Sequence, residues 1–334
     1  MVGAVVLDSQ GHVAGEGYHR GPGSPHAEEA ALAVACDSAR GGTLYVNLEP
    51  CVHAHRTPSC AKAVIDAGLR RVVISMTDPD ERVRGAGLRM LEAAGTKTTV
   101  GVHQERAEKL NEFYVKHRLT RRPFVTAKFG MSLDGKIATR TGEARWITGD
   151  LARAHGHRLR HQHDAILVGI NTVIADDPEL TARLDGEEAR QPLRIVLDSQ
   201  LRIPQSARVV GANTVIATTR AGRVGAAEVL RLPAADDGRV SLPALLDELG
   251  KRNVLSVLVE GGGEVHAAFF AERLVDKLHA YIAPILIGGR DAIGPLGGKG
   301  IERLADGTRL RDVDLARLGD DLVISGYVDV HRDS

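Results

Sequence analysis

Short apolar strands that alternate with helices constrain the fold of this chain more than any other feature. In the first half, "VGAVVLD" and "VAGEGYH" flank the turn "SQGH" and predict a β-hairpin. Predicted helices then alternate with the strands "GTLYVNLEP", "RVVISMTDP" and "KTTVGV". Because such alternation is typical of a sheet covered by helices, the sequence predicts an α/β domain.

The predicted helices of this half cover residues 24–39, 59–69, 85–95 and 104–118. Ser24 is the predicted N-cap of the first helix, with Pro25 at its first helical position. Cys36 lies in the middle of that helix among alanines, which favours a buried thiol.

The alternation starts again after the basic turn "LTRRP", so we expect a domain boundary near residue 122. The two predicted α/β domains cover residues 1–122 and 123–334. The predicted strands of the second are "FVTAKFGMSLDG", "DAILVGI", "PLRIVLDS", "NTVIATT", "LSVLVEGGG", "KLHAYIAPILI" and "DLVISGYVDVH".

Charge and cysteine content exclude several classes of protein. Lys+Arg and Asp+Glu both number 43, and aromatic residues make up 3% of the chain. Nucleic-acid binding needs a basic field and stacking platforms, so we expect no nucleic-acid partner. There is no apolar run near 18 residues and no signal peptide, so we expect a cytoplasmic protein without a membrane partner. In that compartment a disulfide between Cys51 and Cys60 is not expected.

The residues His26, Cys51 and Cys60 offer one imidazole and two thiolates at the ends of predicted elements. Zinc prefers these ligands, and three of them leave a position open for water, as in catalytic sites. Glu28 completes H-A-E and could shuttle protons beside such a water. The order H-A-E, then E-P-C, then a further cysteine is similar to the signature of zinc deaminases.

Alternatives remain for each motif taken alone. H-A-E can be a helix start with a surface Glu28, and two cysteines nine positions apart can be ordinary thiols. The order strand, H-A-E, helix, strand, E-P-C and helix favours zinc over these alternatives.

The segments "GYHRGPGSPHAEEAAL" and "LYVNLEPCVHAHRTPSC" closely resemble the deaminase domain of the bifunctional riboflavin-biosynthesis deaminase/reductase family. The resemblance implies a cytidine-deaminase-like α/β/α domain, with His26, Cys51 and Cys60 as zinc ligands and Glu28 as the catalytic proton shuttle. It also implies contacts to the pyrimidine or the ribose phosphate from His19, His53, Arg56 and Asp78. Without it, His19 and His53 would be interpreted as solvated turn histidines.

The chain departs from that family at several positions. It begins at the third residue of the family's N-P-x-V-G, so the N-terminal helix and the substrate-contacting Asn precede the given sequence or are absent. Val52, His55 and Ser59 replace the usual Ser, Gly and Pro. We therefore expect the zinc site to form and the deaminase to turn over weakly.

Two segments of the second half suggest nucleotide chemistry. "VLVEGGGEVHAAFF" predicts a strand, a glycine turn and a helix whose N-terminus could hold a pyrophosphate, although such a turn can also be simple chain geometry. "DAILVGINTVIADDPELTAR" predicts a buried strand leading into a polar loop. Asp176 and Asp177 in that loop could be a metal pair, a helix cap or a substrate-ordering turn.

Together with "KFGMSLDGKIA", "RWIT" and "PLRIVLDS", these segments resemble the reductase domain of the same family, which is similar to dihydrofolate reductase in fold and uses NADPH. The resemblance implies an NADPH site lined by Gly130, Trp146, Thr172, Asp176, Ser199, Gly261, Gly262 and Gly263. It implies substrate contacts from Arg160, Leu180, Arg183 and Glu260, and it makes Asp134 and Lys136 further candidates.

At two positions in or next to "RWIT", the sequence allows another role or departs from the reductase family. Trp146 could instead be a core or cap aromatic. Ala144 replaces a family Ser that contacts the substrate, and the loss of one hydroxyl contact costs on the order of 0.5–1.5 kcal/mol of binding.

The function that the resemblance implies is bifunctional. A zinc-dependent step deaminates 2,5-diamino-6-(5-phosphoribosylamino)pyrimidin-4-one, and NADPH then reduces the ribosyl group to ribityl. A homo-oligomer is possible. The alternatives are a reductase with a decayed deaminase domain, a relative recruited to another pyrimidine-derived metabolite, and a nucleic-acid deaminase or zinc-stabilised RNA-binding module.

Overall fold

The computed structural model of the chain describes residues 1–21, 23–52, 59–81 and 83–329, and it divides into two units. The first unit is Met1–Thr120 and the second is Arg121–Ser334. Within the described ranges, no helix is long and apolar enough to cross a membrane.

A five-stranded sheet forms the first unit, in the order β2-β1-β3-β4-β5. The predicted hairpin is confirmed, and β3 pairs antiparallel with β1 and parallel with β4, which is parallel to β5. The strands are β1 (Gly3–Leu7), β2 (Val13–Tyr18), β3 (Thr43–Val46), β4 (Arg71–Ile74) and β5 (Lys97–Val100). Buried aliphatic residues of β1, β3 and β4 form the core with the alanines of the first helix.

The helices of this unit are α1 (Ala27–Ala35), α2 (Cys60–Asp66), α3 (Ala86–Ala93), α4 (Gln104–Leu110) and α5 (Glu112–Thr120), and a 3₁₀ turn covers Cys36–Ala39. The single helix predicted over 104–118 is wrong. Asn111 ends α4 with a non-helical backbone, and α5 starts at the next residue.

The prediction that Ser24 caps α1 is also wrong. The Ser24 hydroxyl closes the preceding turn, because it donates to the Gly21 carbonyl at 2.7 Å and accepts from the Gly21 N–H at 3.1 Å. His26 is the N-cap, and its backbone N–H donates to the Glu29 carboxylate at 3.1 Å. Pro25 therefore lies outside the helix.

Cys36 is not a buried mid-helix thiol. It ends α1 with a φ of 47° and is exposed, since the chain turns there into the 3₁₀ segment.

Helix α1 packs on β2 at very short range because β2 presents glycine to it. A β-carbon at Gly15 would lie 2.3 Å from the Ala31 carbonyl oxygen, and one at Gly17 would lie 2.4 Å from the Ala31 nitrogen. This close packing places the N-terminus of α1, with His26 and Glu28, against the sheet.

A nine-stranded sheet forms the second unit, in the order β10-β9-β8-β7-β11-β6-β12-β14-β13. All neighbours from β10 to β12 are parallel, and β14 and β13 are added antiparallel. The strands are β6 (Phe124–Ser132), β7 (Ala165–Gly169), β8 (Leu193–Leu197), β9 (Thr214–Thr218), β10 (Glu228–Arg231), β11 (Ser256–Val259), β12 (Lys277–Ala283), β13 (Leu310–Leu318) and β14 (Asp321–Val328).

The helices of the second unit are α6 (Asp150–Gln162), α7 (Ile170–Asp176), α8 (Leu242–Lys251) and α9 (Gly263–Ala271), and a 3₁₀ turn covers Leu304–Asp306. The prediction of a polar loop directly after β7 is wrong for Ile170–Asp176, because these residues form α7. Helices α8 and α9 cover one face of the sheet through Leu245, Leu249 and Phe269, all fully buried. The parallel strands end at one edge of the sheet, which is where ligands bind in such folds.

Candidate active sites

The three predicted metal ligands converge in the first unit. His26 is the N-cap of α1, Cys51 follows β3, and Cys60 is the first residue of α2, which the Ser59 hydroxyl caps. His26 Nδ1 lies 3.1 Å from the Cys60 Sγ and 3.6 Å from the Cys51 Sγ. All three ligand atoms lie within 4.8 Å of one another.

This donor set fits zinc. One imidazole and two thiolates are ligands that zinc prefers, and three protein ligands leave one position for water. Among the described residues it is the only group of three or more His, Cys, Asp or Glu placed to hold a metal. No disulfide joins Cys51 and Cys60, as predicted.

The contact between the Cys51 and Cys60 thiols shifts their pKa values in opposite directions. The hydrogen bonds from Cys60, together with the nearby His26, outweigh the effect of burial and lower the pKa of Cys51 to about 5. The same contact, together with burial, raises the pKa of Cys60. Since metal ligands must be deprotonated, metal binding at this site releases a proton.

Glu28 lies beside this cluster and is only 3% exposed, so its interpretation as a surface residue is wrong. Burial raises the pKa of Glu28 to about 7, and the Cys51 thiolate adds to the shift while His26 opposes it. A carboxyl group with a pKa near neutrality can both accept and donate a proton at physiological pH.

Two of the predicted substrate contacts of this unit are described. The His19 ring meets the His26 ring edge-on at a centroid distance of 5.3 Å, and its Nδ1 lies 3.1 Å from the Pro25 carbonyl oxygen. Asp78 is 5% exposed and accepts hydrogen bonds from the Tyr114 hydroxyl at 2.9 Å and the Asp80 N–H at 2.8 Å. Burial raises the pKa of Asp78.

The two other predicted substrate contacts, His53 and Arg56, and the substituted His55 lie outside the described residues. Tyr114 was not predicted, because it belongs to α5 and nothing in its local sequence points to Asp78.

In the second unit, Arg160 and Glu260 form a two-point ion pair with distances of 2.9 and 2.7 Å. Lys128 Nζ lies 3.8 Å from the same carboxylate, whose side chain is 8% exposed. Burial alone would raise the pKa of Glu260, but Arg160 and Lys128 lower it to about 2. Lys128 was not predicted, and its only signal in the sequence is a lysine within the mostly apolar strand β6.

Leu180 and Arg183 follow α7 along the chain, and hydrogen bonds connect their segment to α6. Arg183 contacts the Glu179 carboxylate at 3.1 Å and the His157 Nε2 at 3.2 Å. Arg160 also donates to the Thr181 carbonyl at 3.1 Å. Leu180 is 3% exposed and has a φ of 56°. The predicted substrate residues Arg160, Leu180, Arg183 and Glu260 therefore belong to one connected region.

The glycine turn after β11 packs against the end of β7. A β-carbon at Gly261 would lie 2.7 Å from the Gly169 nitrogen, and one at Gly263 would lie 2.7 Å from the Gly294 carbonyl oxygen. The Gly262 N–H donates to the Thr172 hydroxyl at 3.2 Å. Local packing thus requires glycine at two of the three positions, and the turn leads into the N-terminus of α9.

The other predicted cofactor residues lie near the same strand ends. Gly130 is in β6, where a β-carbon would meet Thr148 Cγ2 at 3.0 Å. Ser199 follows β8, and its hydroxyl accepts from the Val240 N–H at 3.0 Å. A helix N-terminus, a hydroxyl and glycines at the carboxyl ends of parallel strands are a donor set that suits a dinucleotide.

Trp146 and Asp176 lie next to Arg145. Trp146 is 68% exposed, with the Arg153 guanidinium 4.7 Å from its ring centroid, so a core role is wrong. Asp176 ends α7, and its carboxylate lies 3.9 Å from Arg145 Nε. Asp177 accepts from the Arg208 N–H at 2.8 Å, and neither aspartate belongs to a group of three metal-binding side chains among the described residues.

Asp134 and Lys136 connect the end of β6 to the segment after β12. Asp134 accepts hydrogen bonds from the Ser132 hydroxyl at 2.6 Å and the Gly288 N–H at 2.7 Å, and these bonds lower its pKa to about 2. Lys136 donates to the Ala292 carbonyl at 3.1 Å. In the structure both side chains hold protein segments together.

Comparison with known families gives two matches. Residues 123–324 match the family described as the RibD C-terminal domain, and residues 1–76 match the cytidine and deoxycytidylate deaminase zinc-binding region. The two domain types predicted from the sequence are confirmed.

Relatives that match both halves are found among curated proteins and solved structures. The riboflavin biosynthesis protein RibD of Escherichia coli is 40% identical over 338 residues, which cover 97% of this chain and 92% of the relative. The structure of Acinetobacter baumannii RibD superposes with a TM-score of 0.89 at 33% identity, covering 98% of this chain and 92% of that chain.

A diaminohydroxyphosphoribosylaminopyrimidine deaminase/5-amino-6-(5-phosphoribosylamino)uracil reductase from Thermotoga maritima superposes with a TM-score of 0.84 at 31% identity, covering 98% of this chain and 92% of that chain. These comparisons give no support to a decayed deaminase, to recruitment to another metabolite or to a nucleic-acid-binding module.

Proposed function

Since the chain belongs to the RibD family of bifunctional riboflavin-biosynthesis enzymes, we propose that its first unit deaminates and its second unit reduces a phosphoribosylated pyrimidine. The proposed substrate is 2,5-diamino-6-(5-phosphoribosylamino)pyrimidin-4-one, and the proposed domains are residues 1–122 and 123–334, whose boundary lies two residues after the end of the first unit at Thr120. The observation that carries the proposal is the convergence of His26, Cys51 and Cys60 beside the buried Glu28.

In the deaminase, His26, Cys51 and Cys60 would hold zinc, and the chemistry that the ion would supply when bound is a water of lowered pKa that can act as a nucleophile at neutral pH. Glu28 takes a proton from the attacking water and delivers it to the leaving amine, a task that suits its pKa of about 7. His19 contacts the substrate from beside His26. Asp78, His53 and Arg56 are proposed to contact the pyrimidine or the ribose phosphate.

In the reductase, the chemistry that NADPH would supply when bound is a hydride for the ribose carbon, and the role of the protein is to align the two. Arg160, Leu180, Arg183 and Glu260 are proposed to bind the substrate. Arg183 suits its phosphate, because a guanidinium group can bond two phosphate oxygens. Arg160 is held against Glu260 by its two-point ion pair and adds positive charge to the same region. The cofactor is proposed to lie along the strand ends, with Asp134 and Lys136 supporting the β6 turn. Its proposed contacts are Gly130, Trp146, Thr172, Asp176, Ser199, Gly261, Gly262 and Gly263.

We also propose a cellular compartment, a set of partners and an oligomeric state for the enzyme. We place it in the cytoplasm without nucleic-acid or membrane partners, because Cys51 and Cys60 must stay reduced to hold zinc. Strand β13 forms the edge of the nine-stranded sheet and is exposed along most of its nine residues. Such an edge can pair with a second copy, so we propose a homo-oligomer.

Two assays on the zinc-loaded chain test the proposal. With the diaminopyrimidinone substrate alone we expect release of ammonia, and on addition of NADPH we expect its oxidation with formation of the ribityl product. The deaminated intermediate, supplied directly, should oxidise NADPH without ammonia release. Absence of ammonia from a protein with a full complement of zinc would contradict the deaminase assignment.

A further inference from the structure

Glu49, two residues before Cys51, carries a buried carboxylate that no part of the proposed chemistry uses. It is 2% exposed. Its Oε2 accepts from the backbone N–H groups of Asp78 at 3.2 Å and Gly85 at 3.0 Å. Its Oε1 accepts from those of Gly87 at 2.9 Å and Leu88 at 3.3 Å.

Three of these donors belong to the N-terminus of α3. Gly85 is the N-cap of that helix and has no side chain that could bond the first N–H groups. A carboxylate from the end of β3 therefore caps α3, where the helix dipole also favours negative charge. The fourth donor, the Asp78 N–H, lies in the loop that connects β4 to α3.

The segment from Glu49 to Cys51 has further backbone anchors. The Glu49 N–H donates to the Met76 carbonyl at 3.0 Å, and the Ala61 N–H donates to the Cys51 carbonyl at 3.1 Å. Gly87 packs against Pro50 so closely that a β-carbon there would lie 2.2 Å from the Pro50 carbonyl oxygen. The backbone that presents the Cys51 thiol is thus held on both sides.

We propose that Glu49 is a positioning residue for the zinc ligand Cys51, which it fixes by locking the segment 49–51 against the α3 N-terminus and the Asp78 loop. The inference rests on the proposed zinc site. Glu49 acts through the backbone, so its removal lowers metal affinity by loosening one thiolate while all three ligands remain. Partners that orient metal ligands typically change metal affinity by 10- to 100-fold when altered.

The test is Glu49→Gln in the full-length chain. An amide offers one acceptor oxygen and one NH₂ donor, so two of the four N–H groups lose their acceptor and face a donor. We expect zinc affinity, measured by competition with a chelator, to fall on the order of 10-fold. The matched control is Glu92→Gln on the exposed side of the same helix, which should keep wild-type affinity.

The absorption spectrum of the Co²⁺-saturated protein separates positioning from general destabilisation. A protein that is merely less stable binds Co²⁺ more weakly but has an unchanged spectrum at saturation. A displaced Cys51 thiolate instead shifts the ligand-field bands. We expect this shift in Glu49→Gln and not in Glu92→Gln, with NADPH oxidation by the second unit unchanged in both.

Gly87→Ala provides a second variant if Glu49→Gln fails to fold. It keeps the carboxylate but forces the new β-carbon against the Pro50 carbonyl, so it should also lower zinc affinity and shift the Co²⁺ spectrum. Wild-type affinity and spectrum in the folded variants would overturn the inference while leaving the zinc site intact. A wild-type protein that binds no zinc would instead overturn the proposed function.

Discussion

Glu28 combines deep burial with a position next to two thiols, and its role can be tested separately from metal binding. Glu28→Gln keeps the shape of the side chain but removes its ability to carry protons. We expect ammonia release to fall on the order of 10²- to 10⁴-fold, because positioned general acid–base catalysis contributes that much. Zinc content and NADPH oxidation should not change. Ammonia release within a few-fold of wild type would show that protons move by another route.

The ion pairs of Glu260 with Arg160 and Lys128 should make the stability of the second unit depend on pH. The ion pairs hold the pKa of Glu260 at about 2, below the ordinary value of 4.5. Because the folded pKa is depressed, Glu260 stabilises the folded state fully above about pH 4.5, and this contribution is lost as the pH falls toward 2. The loss should be on the order of 3 kcal/mol.

Glu260→Gln is the reference for that measurement. Hydrogen exchange of β6 and β11 amides should show wild type more stable than the variant at neutral pH. The difference should shrink below about pH 4.5. A difference that is constant with pH would mean that Glu260 titrates normally.

Individual site residues could be predicted from the sequence where they occur in short motifs such as H-A-E and E-P-C. The sequence predicted that His26, Cys51 and Cys60 converge, because zinc chemistry demands a few residue types at the ends of elements. The catalytic role of Glu28, which is buried beside them, stays a prediction. Glu49, Tyr114 and Lys128 were missed as functional candidates, because their partners are backbone N–H groups or side chains far along the chain. A short sequence motif does not indicate contacts with residues that are distant along the chain.

The packing of α1 on β2 determines where His26 and Glu28 lie, and a single methyl group can disturb it. Gly17→Ala would place a β-carbon 2.4 Å from the Ala31 nitrogen and 2.6 Å from the Ala27 carbonyl oxygen. Backbone atoms cannot move aside as side chains do, so α1 must shift. We expect a loss of about 1–3 kcal/mol in the stability of the first unit, with lower zinc affinity and ammonia release.

Gly3→Ala is the matched control for this change, since its nearest neighbour would be 4.0 Å away. The measurements are chemical unfolding followed by far-UV circular dichroism, and chelator competition. If Gly17→Ala and Gly3→Ala behave alike, the close packing does not constrain the site.

Helices and strands could be predicted from the sequence where their burial requires a recognisable run of apolar residues. Strands β7, β8, β9 and β11 are nearly continuous apolar runs and were predicted. Strand β13 is exposed on both faces, and β10 has only four residues at the other edge, so neither has a hydrophobic signature. Helix α7 was missed because "INTVIAD" is short and β-branched, and its position after β7 decides its conformation.

The division into two units predicts that the two activities respond separately to loss of metal. A strong chelator should abolish ammonia release from the whole chain, because His26, Cys51 and Cys60 can no longer activate water. NADPH oxidation with the deaminated intermediate should continue, since the second unit presents no comparable cluster among its described residues. Added zinc should restore ammonia release, and parallel loss of both activities would contradict this separation.

The strand order of the second unit also has a consequence for how the protein is made. Within this unit β6 is the first strand to be synthesised, yet its two neighbours in the sheet are β11 and β12, which start at Ser256 and Lys277. The backbone N–H and C=O groups of β6 therefore have no partner strand, and its apolar side chains stay uncovered, until most of the polypeptide has been synthesised. The first unit, which ends at Thr120, can complete its sheet while the reductase is still being translated, so nascent-chain aggregation and the need for chaperones concentrate in the second half.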